Sequence, residues 1–119
     1  MNKRLQGSQY EQKAAAFLEK NGVQILQQNF RCKIGEIDLV GKAGDTLIFF
    51  EVKHRSLDRS GFAQSAVDMK KQQIISRVSD FYRVMHHLSD DTNIRFDVVA
   101  VNGEKVTWIP NAFFYIGTF

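Results

Sequence analysis

The stretch that decides the fold is residues 35–53, GEIDLVGKAGDTLIFFEVK. Two β-rich runs, residues 36–40 and 46–53, flank a glycine-containing connection, which predicts a β-hairpin. Within this connection we expect Gly44 and Asp45 to form a two-residue turn with glycine first, as a type II′ turn prefers, and a four-residue loop centred on the same point gives the same cross-strand pairs. A turn at these two residues sets the register of both strands back to their far ends.

The two faces of this hairpin differ in chemistry because side chains on a strand alternate between faces. The register predicts Asp38 opposite Glu51 and Glu36 opposite Lys53, so polar residues converge at one end of the hairpin. One face is apolar and consists of Ile37, Leu39, Ile48, Phe50 and Val52. The other face carries Glu36, Asp38, Glu51, Lys53 and Arg55.

The polar face admits two interpretations. A solvent-facing sheet explains Glu36 through a cross-strand ion pair with Lys53, worth a few tenths of a kcal/mol. It does not explain Asp38 opposite Glu51, because two carboxylates about 5 Å apart repel by about 3 kcal/mol at an effective dielectric of about 20. Such a pair has one raised pKa unless a cation lies between the two groups. We therefore expect a site for Mg²⁺ or Mn²⁺, which suit carboxylate oxygens, whereas the His and Cys ligands of a zinc site are absent from this face.

The rest of the chain predicts an α/β fold, a mixed central sheet flanked by helices in the order α-β-β-β-α-β-β. The pattern predicts a helix over 8–21, a strand over 23–31, a long helix over 62–88, and strands over 93–101 and 105–110 around a turn at Asn102-Gly103. The length of 119 residues, with no repeat or linker, predicts one domain over residues 1–119.

Composition narrows the classes of function. No apolar run is long enough to span a membrane, no secretory signal is visible, and the single Cys32 cannot form an internal disulfide. We therefore expect a cytoplasmic protein with no membrane partner. Residues 36–52 hold four acids and one base, while the flanking segments 1–35 and 53–83 are basic. This distribution is typical of a protein that binds a polyanion and places a cation against it, although ordinary surface charge gives the same counts.

The motifs of the chain resemble those of a known family. Asp38 followed by Glu51-Val52-Lys53 resembles the Asp…Glu-x-Lys core of the PD-(D/E)XK nuclease superfamily, with Ile37 in place of proline. Four blocks in order resemble the small bacterial YraN family more closely: residues 35–40, 50–55, 95–99 and 111–113. That family comprises predicted endonucleases similar to archaeal Holliday-junction resolvases, and the resemblance covers nearly the whole chain.

The resemblance implies a catalytic set of Asp38, Glu51 and Lys53. Asp38 and Glu51 would hold one or two Mg²⁺ or Mn²⁺ ions together with the Val52 backbone carbonyl, and the metal would polarise the phosphate and activate a water. Lys53 would orient or deprotonate that water, or stabilise charge in the transition state. The implied partner is DNA, including branched DNA, and a homodimer is implied because resolvase-like enzymes act as dimers.

Two supporting residues have an alternative structural role. Glu11 is either the partner of Ser8 in a capping box or, as the resemblance implies, an acidic ligand on the first helix. On the long helix, Lys70 or Lys71 fills a gap in an apolar stripe, and the family pattern favours Lys71. The alternative is a lysine that extends along its stem to solvent. The stripe consists of Ala63, Val67, Ile74, Val78, Phe81, Met85 and Leu88.

The remaining charged residues have binding or structural roles. Lys53, Lys70 and Lys71 are candidates for phosphate contacts, as are Arg55 and Arg59 in a polar loop. Asp97 alternates with Arg95 along a strand, which favours a structural ion pair over catalysis.

The sequence thus predicts a metal-dependent endonuclease that hydrolyses phosphodiester bonds in DNA and selects by structure, because no recognition helix is evident. One alternative is a nucleic-acid-binding module that has the nuclease-like fold and no significant activity. A second is an interaction protein that uses its apolar C-terminus.

Overall fold

The computed structural model describes residues 3–54 and 67–117, with side chains from residue 9 onward. The elements are α1 (Lys3–Lys20), β1 (Gln24–Arg31), β2 (Glu36–Ala43), β3 (Thr46–Lys53), α2 (Met69–Met85), β4 (Asn93–Asn102) and β5 (Lys105–Phe113). This order confirms the predicted α-β-β-β-α-β-β arrangement. In the part of the chain described, no helix has both the length and the apolar composition needed to cross a membrane.

The five strands form one mixed sheet in the order β1-β2-β3-β4-β5. Antiparallel pairing joins β1 to β2, β2 to β3 and β4 to β5, whereas β3 and β4 run parallel. The parallel pair requires a crossover connection, and α2 lies in that connection. The α/β class predicted from the sequence is therefore confirmed.

Each face of the sheet has its own hydrophobic core, with one helix against each. The α2-side core contains Phe49, Phe96 and Val98 from the sheet together with Ile75, Val78 and Tyr82 from the helix. The α1-side core contains Leu39, Ile48, Phe50 and Val99 together with Ala14, Ala15 and Leu18. The central strands alternate between the two cores, so both of their faces are buried, as expected for strands covered by helices on both sides.

The predicted β2–β3 hairpin is confirmed near its turn. Ala43 pairs with Thr46 and Leu39 pairs with Phe50, in the predicted register. Gly44 has a φ of 59°, whereas Asp45 is not among the residues with a positive φ. A positive φ at the first of the two turn residues alone agrees with a type II′ turn.

The second hairpin differs from the prediction by one residue. Asn102 pairs with Lys105, so the turn consists of Gly103-Glu104 and not Asn102-Gly103. Gly103 has a φ of 63°, which places the glycine first in this turn too. The strand that follows continues to Phe113, beyond the predicted end at residue 110.

Both helices differ from their predicted bounds. Helix α1 begins at Lys3, so Ser8 lies inside the helix and the predicted capping box of Ser8 with Glu11 is wrong. Helix α2 begins at Met69, because the Asp68 side chain accepts the N–H of Lys71 at 2.8 Å and caps the helix. Residues 62–66 of the predicted helix, including Ala63, lie outside the described residues.

The predicted apolar stripe of α2 is also partly wrong. Val67, Val78 and, less deeply, Ile74 contact the α2-side core, whereas Phe81, Met85 and Leu88 are exposed. The buried side of the helix instead follows Ile75, Val78, Ser79 and Tyr82. Ser76 and Ser79 are buried because their hydroxyls donate to backbone carbonyls of Gln72 and Ser76. Because serine is polar, the apolar pattern of the sequence did not include these two buried positions, although their hydroxyls are hydrogen-bonded within the helix.

Gly35 allows α2 to approach the start of β2. A β-carbon added at Gly35 would lie 2.7 Å from Cγ2 of Ile74. That methyl group is bonded directly to a branched Cβ whose rotamer is restricted on a helix, so it cannot rotate away freely. Glycine at this position therefore sets the distance between α2 and the strand that carries Asp38.

Gly35→Ala is therefore expected to destabilise the protein by about 1–3 kcal/mol through overpacking. Ile74→Ala removes the opposing methyl group, so the Gly35→Ala change should be much less destabilising in that background. Urea unfolding of the four proteins in the double-mutant cycle measures this coupling. Strictly additive effects would show that the contact with Ile74 does not determine the glycine requirement.

Candidate active site

The site lies where β2 and β3 separate. Their pairing ends at Leu39 and Phe50, although β3 remains paired with β4 through Lys53. Immediately beyond, the backbone N–H of Val52 donates to Oδ2 of Asp38 at 2.7 Å. The Asp38 carboxylate thus takes the position that a β2 carbonyl would occupy in a continuing ladder. In an extended strand the N–H and C=O of one residue point to the same side, so the Val52 carbonyl also points toward this opening.

Glu51 lies beside Asp38 and is almost buried, with 8% of its surface exposed. Burial, and then the negative charge of Asp38, raise the pKa of Glu51 to about 7. Burial also raises the pKa of Asp38, while the hydrogen bond from Val52 opposes that rise. The proximity of the two carboxyl groups raises the pKa of Glu51 further and lowers that of Asp38, so a single proton is held preferentially by Glu51. The paired carboxylates expected from the hairpin register are therefore adjacent, and at neutral pH they compete for one proton.

Two lysines approach the same oxygen of Glu51. Nζ of Lys53 lies 3.8 Å and Nζ of Lys71 lies 3.9 Å from Oε1 of Glu51. Both distances exceed hydrogen-bond length, so the lysines act on the carboxylate through their charge. Lys70 is exposed on α2. The structure therefore places Lys71, and not Lys70, at the carboxylates, because Lys71 precedes the buried Ile75 by one helical turn.

Glu11 reaches the site from α1, on the opposite face of the sheet. Burial, the charge of Asp38 and, to a smaller extent, that of Glu36 raise its pKa, while a hydrogen bond from the Asn29 side chain lowers it. Asn29 has a φ of 55°, a left-handed conformation that asparagine tolerates better than most residues. The sequence did not predict this role of Asn29. The residue lies within β1, and asparagine is a weak signal because it occurs in many turns that have no catalytic role.

Glu36 does not pair with Lys53 as the hairpin register predicted. Its Oε2 accepts a hydrogen bond from Nε of Arg31 at 2.6 Å. The reason is that β2 leaves β3 beyond Leu39 but remains paired with β1 through Arg31 and Glu36. For the same reason Ile37 packs in the α2-side core and not with Leu39 on the other face.

Asp97 has a structural role, as predicted. The residue is completely buried, and Arg95 donates two hydrogen bonds of 2.9 Å to its carboxylate. Trp108 Nε1 and the backbone N–H of Asn111 donate two more. With four donors the buried carboxylate is fully satisfied, and it joins β4 to β5 on the α1 side of the sheet, the face opposite to that of Glu51.

The donors at the site suit a hard cation with few protein ligands. The described residues contain no group of three or more His, Cys, Asp or Glu side chains that could hold a metal ion. Asp38 and Glu51 would therefore have to act with the Val52 carbonyl. Mg²⁺ commonly binds through one or two carboxylates and retains several waters, whereas zinc sites need three or four protein ligands. The raised pKa values of the two acids are consistent with a place for positive charge between them.

Arg55 and Arg59, predicted to contact nucleic acid, lie outside the described residues. Fold and site together define a class of protein: an α/β domain in which a buried and a partly buried carboxyl group meet two lysines where a hairpin opens. The model of a family described as uncharacterised protein family UPF0102 matches residues 10–101. The chain belongs to this family, in agreement with the motifs of the sequence.

Relatives in the family are similar over nearly their whole length. A UPF0102 protein of Lachnoclostridium phytofermentans is 40% identical over 113 residues, which cover 95% of this chain and 96% of the relative. One from Syntrophus aciditrophicus is 49% identical over 107 residues, or 87% and 84% of the two chains. One from Legionella pneumophila is 37% identical over 105 residues, or 87% and 89%.

The raised pKa of Glu51 predicts a pH-dependent stability in EDTA. A folded-state pKa of about 7 exceeds the unfolded value, so between these values the folded protein binds the proton more tightly. The free energy of unfolding should therefore fall as pH rises from 5 to 8, by on the order of 3 kcal/mol from this group.

Glu51→Gln retains a neutral side chain of the same size and should remove most of this slope. In urea unfolding it should match the wild type near pH 5 and exceed its stability at pH 8. A variant that is less stable than the wild type at pH 8, with the slope unchanged, would show that the charged form of Glu51 is the stable one.

Proposed function

We propose that this chain is a metal-dependent nuclease that hydrolyses phosphodiester bonds in DNA, with a fold related to the PD-(D/E)XK nucleases. The observation that carries the proposal is an almost buried Glu51 beside the partly buried Asp38, with Lys53 and Lys71 within 4 Å of Glu51. A purely structural pair of acids would be satisfied by donors, as Asp97 is. This pair instead competes for a proton beside two cations, and perturbed groups of this kind are concentrated at functional sites.

The residues divide into three roles in this proposal. Asp38 and Glu51, with the Val52 carbonyl, would hold Mg²⁺ or Mn²⁺, which when bound polarises a phosphate and lowers the pKa of a water. The hydrogen bond from Val52 orients Asp38, so its position does not depend on the metal. Lys53 is placed to orient the attacking water through its ammonium group, which already faces Glu51, whereas taking the proton of that water would require the neutral amine. Lys71 adds a positive charge from α2, where it can stabilise a phosphate.

A nucleic-acid-binding module without activity remains the second candidate. It is favoured by the two lysines, since they already place positive charge beside Glu51 without a metal. DNA binding alone therefore does not distinguish the two functions, whereas metal-dependent cleavage does.

Cleavage of labelled linear, flap and four-way-junction DNA tests the proposal. The wild type is expected to cleave with Mg²⁺ or Mn²⁺ and not with EDTA, because the metal supplies the activated water. Asp38→Asn, Glu51→Gln and Lys53→Met should each lower the rate by about 10²–10⁴-fold.

Lys70→Met and Lys71→Met form a matched pair in the same assay. Both remove one adjacent lysine from α2, but only Lys71 faces Glu51, so Lys71→Met should lower the rate by about tenfold or more and Lys70→Met by less. If no DNA is cleaved under any condition while DNA binding persists, the binding module is the correct function.

Thermal melts test the metal site without a substrate. Mg²⁺ or Mn²⁺ should stabilise the wild type by about 2.7 kcal/mol at a hundredfold excess over the dissociation constant. The same ion should do little for Asp38→Asn or Glu51→Gln, because each lacks a charged ligand. Asp97→Asn is the control, since that acid lies outside the site, and its melting temperature should rise with metal by as much as that of the wild type. An equal shift in all four proteins would contradict the site.

A further inference from the structure

Two aromatic rings stack at the border of the candidate active site. The rings of Tyr10 and His54 have centroids 4.9 Å apart and planes inclined by 15°. Tyr10 is on α1, and His54 follows the last residue of β3. The pair therefore joins a helix to the strand that carries Glu51.

Each ring is adjacent in sequence to a residue that faces the carboxylates. Tyr10 precedes Glu11, whose pKa is raised by the charge of Asp38. His54 follows Lys53, whose Nζ lies 3.8 Å from Oε1 of Glu51. Successive side chains on a strand point to opposite faces. Lys53 points toward α2, so His54 points toward α1, where Tyr10 is. The lysines thus approach the carboxylates from the α2 side of the sheet, and the ring pair lies on the α1 side, one residue beyond Lys53 in the chain.

The two rings differ in exposure. Tyr10 is half-buried and packs against the α1-side core, so its orientation is held by contacts with the protein. His54 is exposed, and within the described chain Tyr10 is the one ring that stacks on it. An anchored ring under an exposed one forms a platform with a flat outer surface. Such platforms bind nucleobases, because every base has a π-face that stacks on an aromatic side chain.

We propose that Tyr10 and His54 form a stacking site for a nucleobase next to the phosphate held at Asp38 and Glu51. This inference rests on the proposed function and specifies its substrate. Bases within a duplex are stacked on their neighbours and offer no free face, whereas an unpaired nucleotide does. The preferred substrate is therefore a nucleic acid with an unpaired nucleotide beside the cleaved bond, such as a single strand or a flap.

The test is binding in EDTA, where no cleavage occurs. A short single-stranded DNA that contains the fluorescent base 2-aminopurine and the duplex of the same sequence are titrated with each protein. His54→Ala should weaken single-strand affinity by about 5- to 140-fold, the range that corresponds to loss of one stacked base. It should also abolish the quenching of 2-aminopurine, and duplex affinity should be unchanged.

Two variants separate the platform from other effects. His54→Phe keeps an aromatic ring without the imidazole and should retain single-strand affinity and quenching. His86→Ala removes the exposed histidine whose ring centroid lies 4.1 Å from that of Tyr82, at the other end of α2, and should leave both measurements unchanged. Equal loss of single-strand and duplex affinity in His54→Ala, or the same loss in His54→Phe, would overturn the platform.

The outcome is distinguishable from that of the proposed nuclease activity. If the wild type cleaves DNA but its single-strand affinity does not depend on His54, the platform is wrong and the nuclease stands. If the wild type cleaves no DNA, and its single-strand affinity depends on an aromatic ring at residue 54, the platform stands as part of a binding module. If the wild type binds no single strand, the platform is wrong.

Discussion

The hydrogen bond from the Val52 backbone N–H to Asp38 marks the place where two paired strands separate, and the other features of the site depend on that separation. If the pairing of β2 with β3 continued beyond Leu39, Asp38 and Glu51 would be an ordinary cross-strand pair whose side chains project from one face of the sheet. Because β2 leaves β3 after Leu39, the Asp38 carboxylate enters the gap and joins Glu51 there. The same separation leaves Glu36 with β1 and Arg31.

The charged side chains at this opening belong to elements on both faces of the sheet. Lys71 approaches from α2 and Glu11 from α1, while Lys53 extends from the strand itself. Burial disfavours the charged forms of Asp38 and Glu51, and the two lysines oppose that effect without removing it. A buried acid pair with an incompletely neutralised charge is poorly suited to stabilising a fold. Asp97 shows the contrast, because four donors satisfy its carboxylate completely.

The chemistry of this site is the main guide to the function of the chain. The proposed nuclease uses the carboxylates and lysines for the phosphate, and the Tyr10–His54 pair accounts for the exposed aromatic surface beside them. Charge on one side of the opening and π-surface on the other match the two parts of a nucleotide. A phosphate and an unpaired base could thus be held together.

The sequence by itself determined the order of the elements, the β2–β3 register near the turn and the proximity of Asp38 to Glu51, because turn residues and two-residue alternation are local properties. The separation of the two strands beyond Leu39 was not part of that prediction. It also contained Gly35 and the Asp68 cap, although their roles require the position of Ile74 and the start of α2. Only the tertiary structure decided that Lys71 and not Lys70 faces Glu51, that Glu11 is no capping residue, and that His54 stacks on Tyr10. These outcomes depend on how the helices pack across the sheet, and contacts between residues far apart in the chain leave no periodic pattern in sequence.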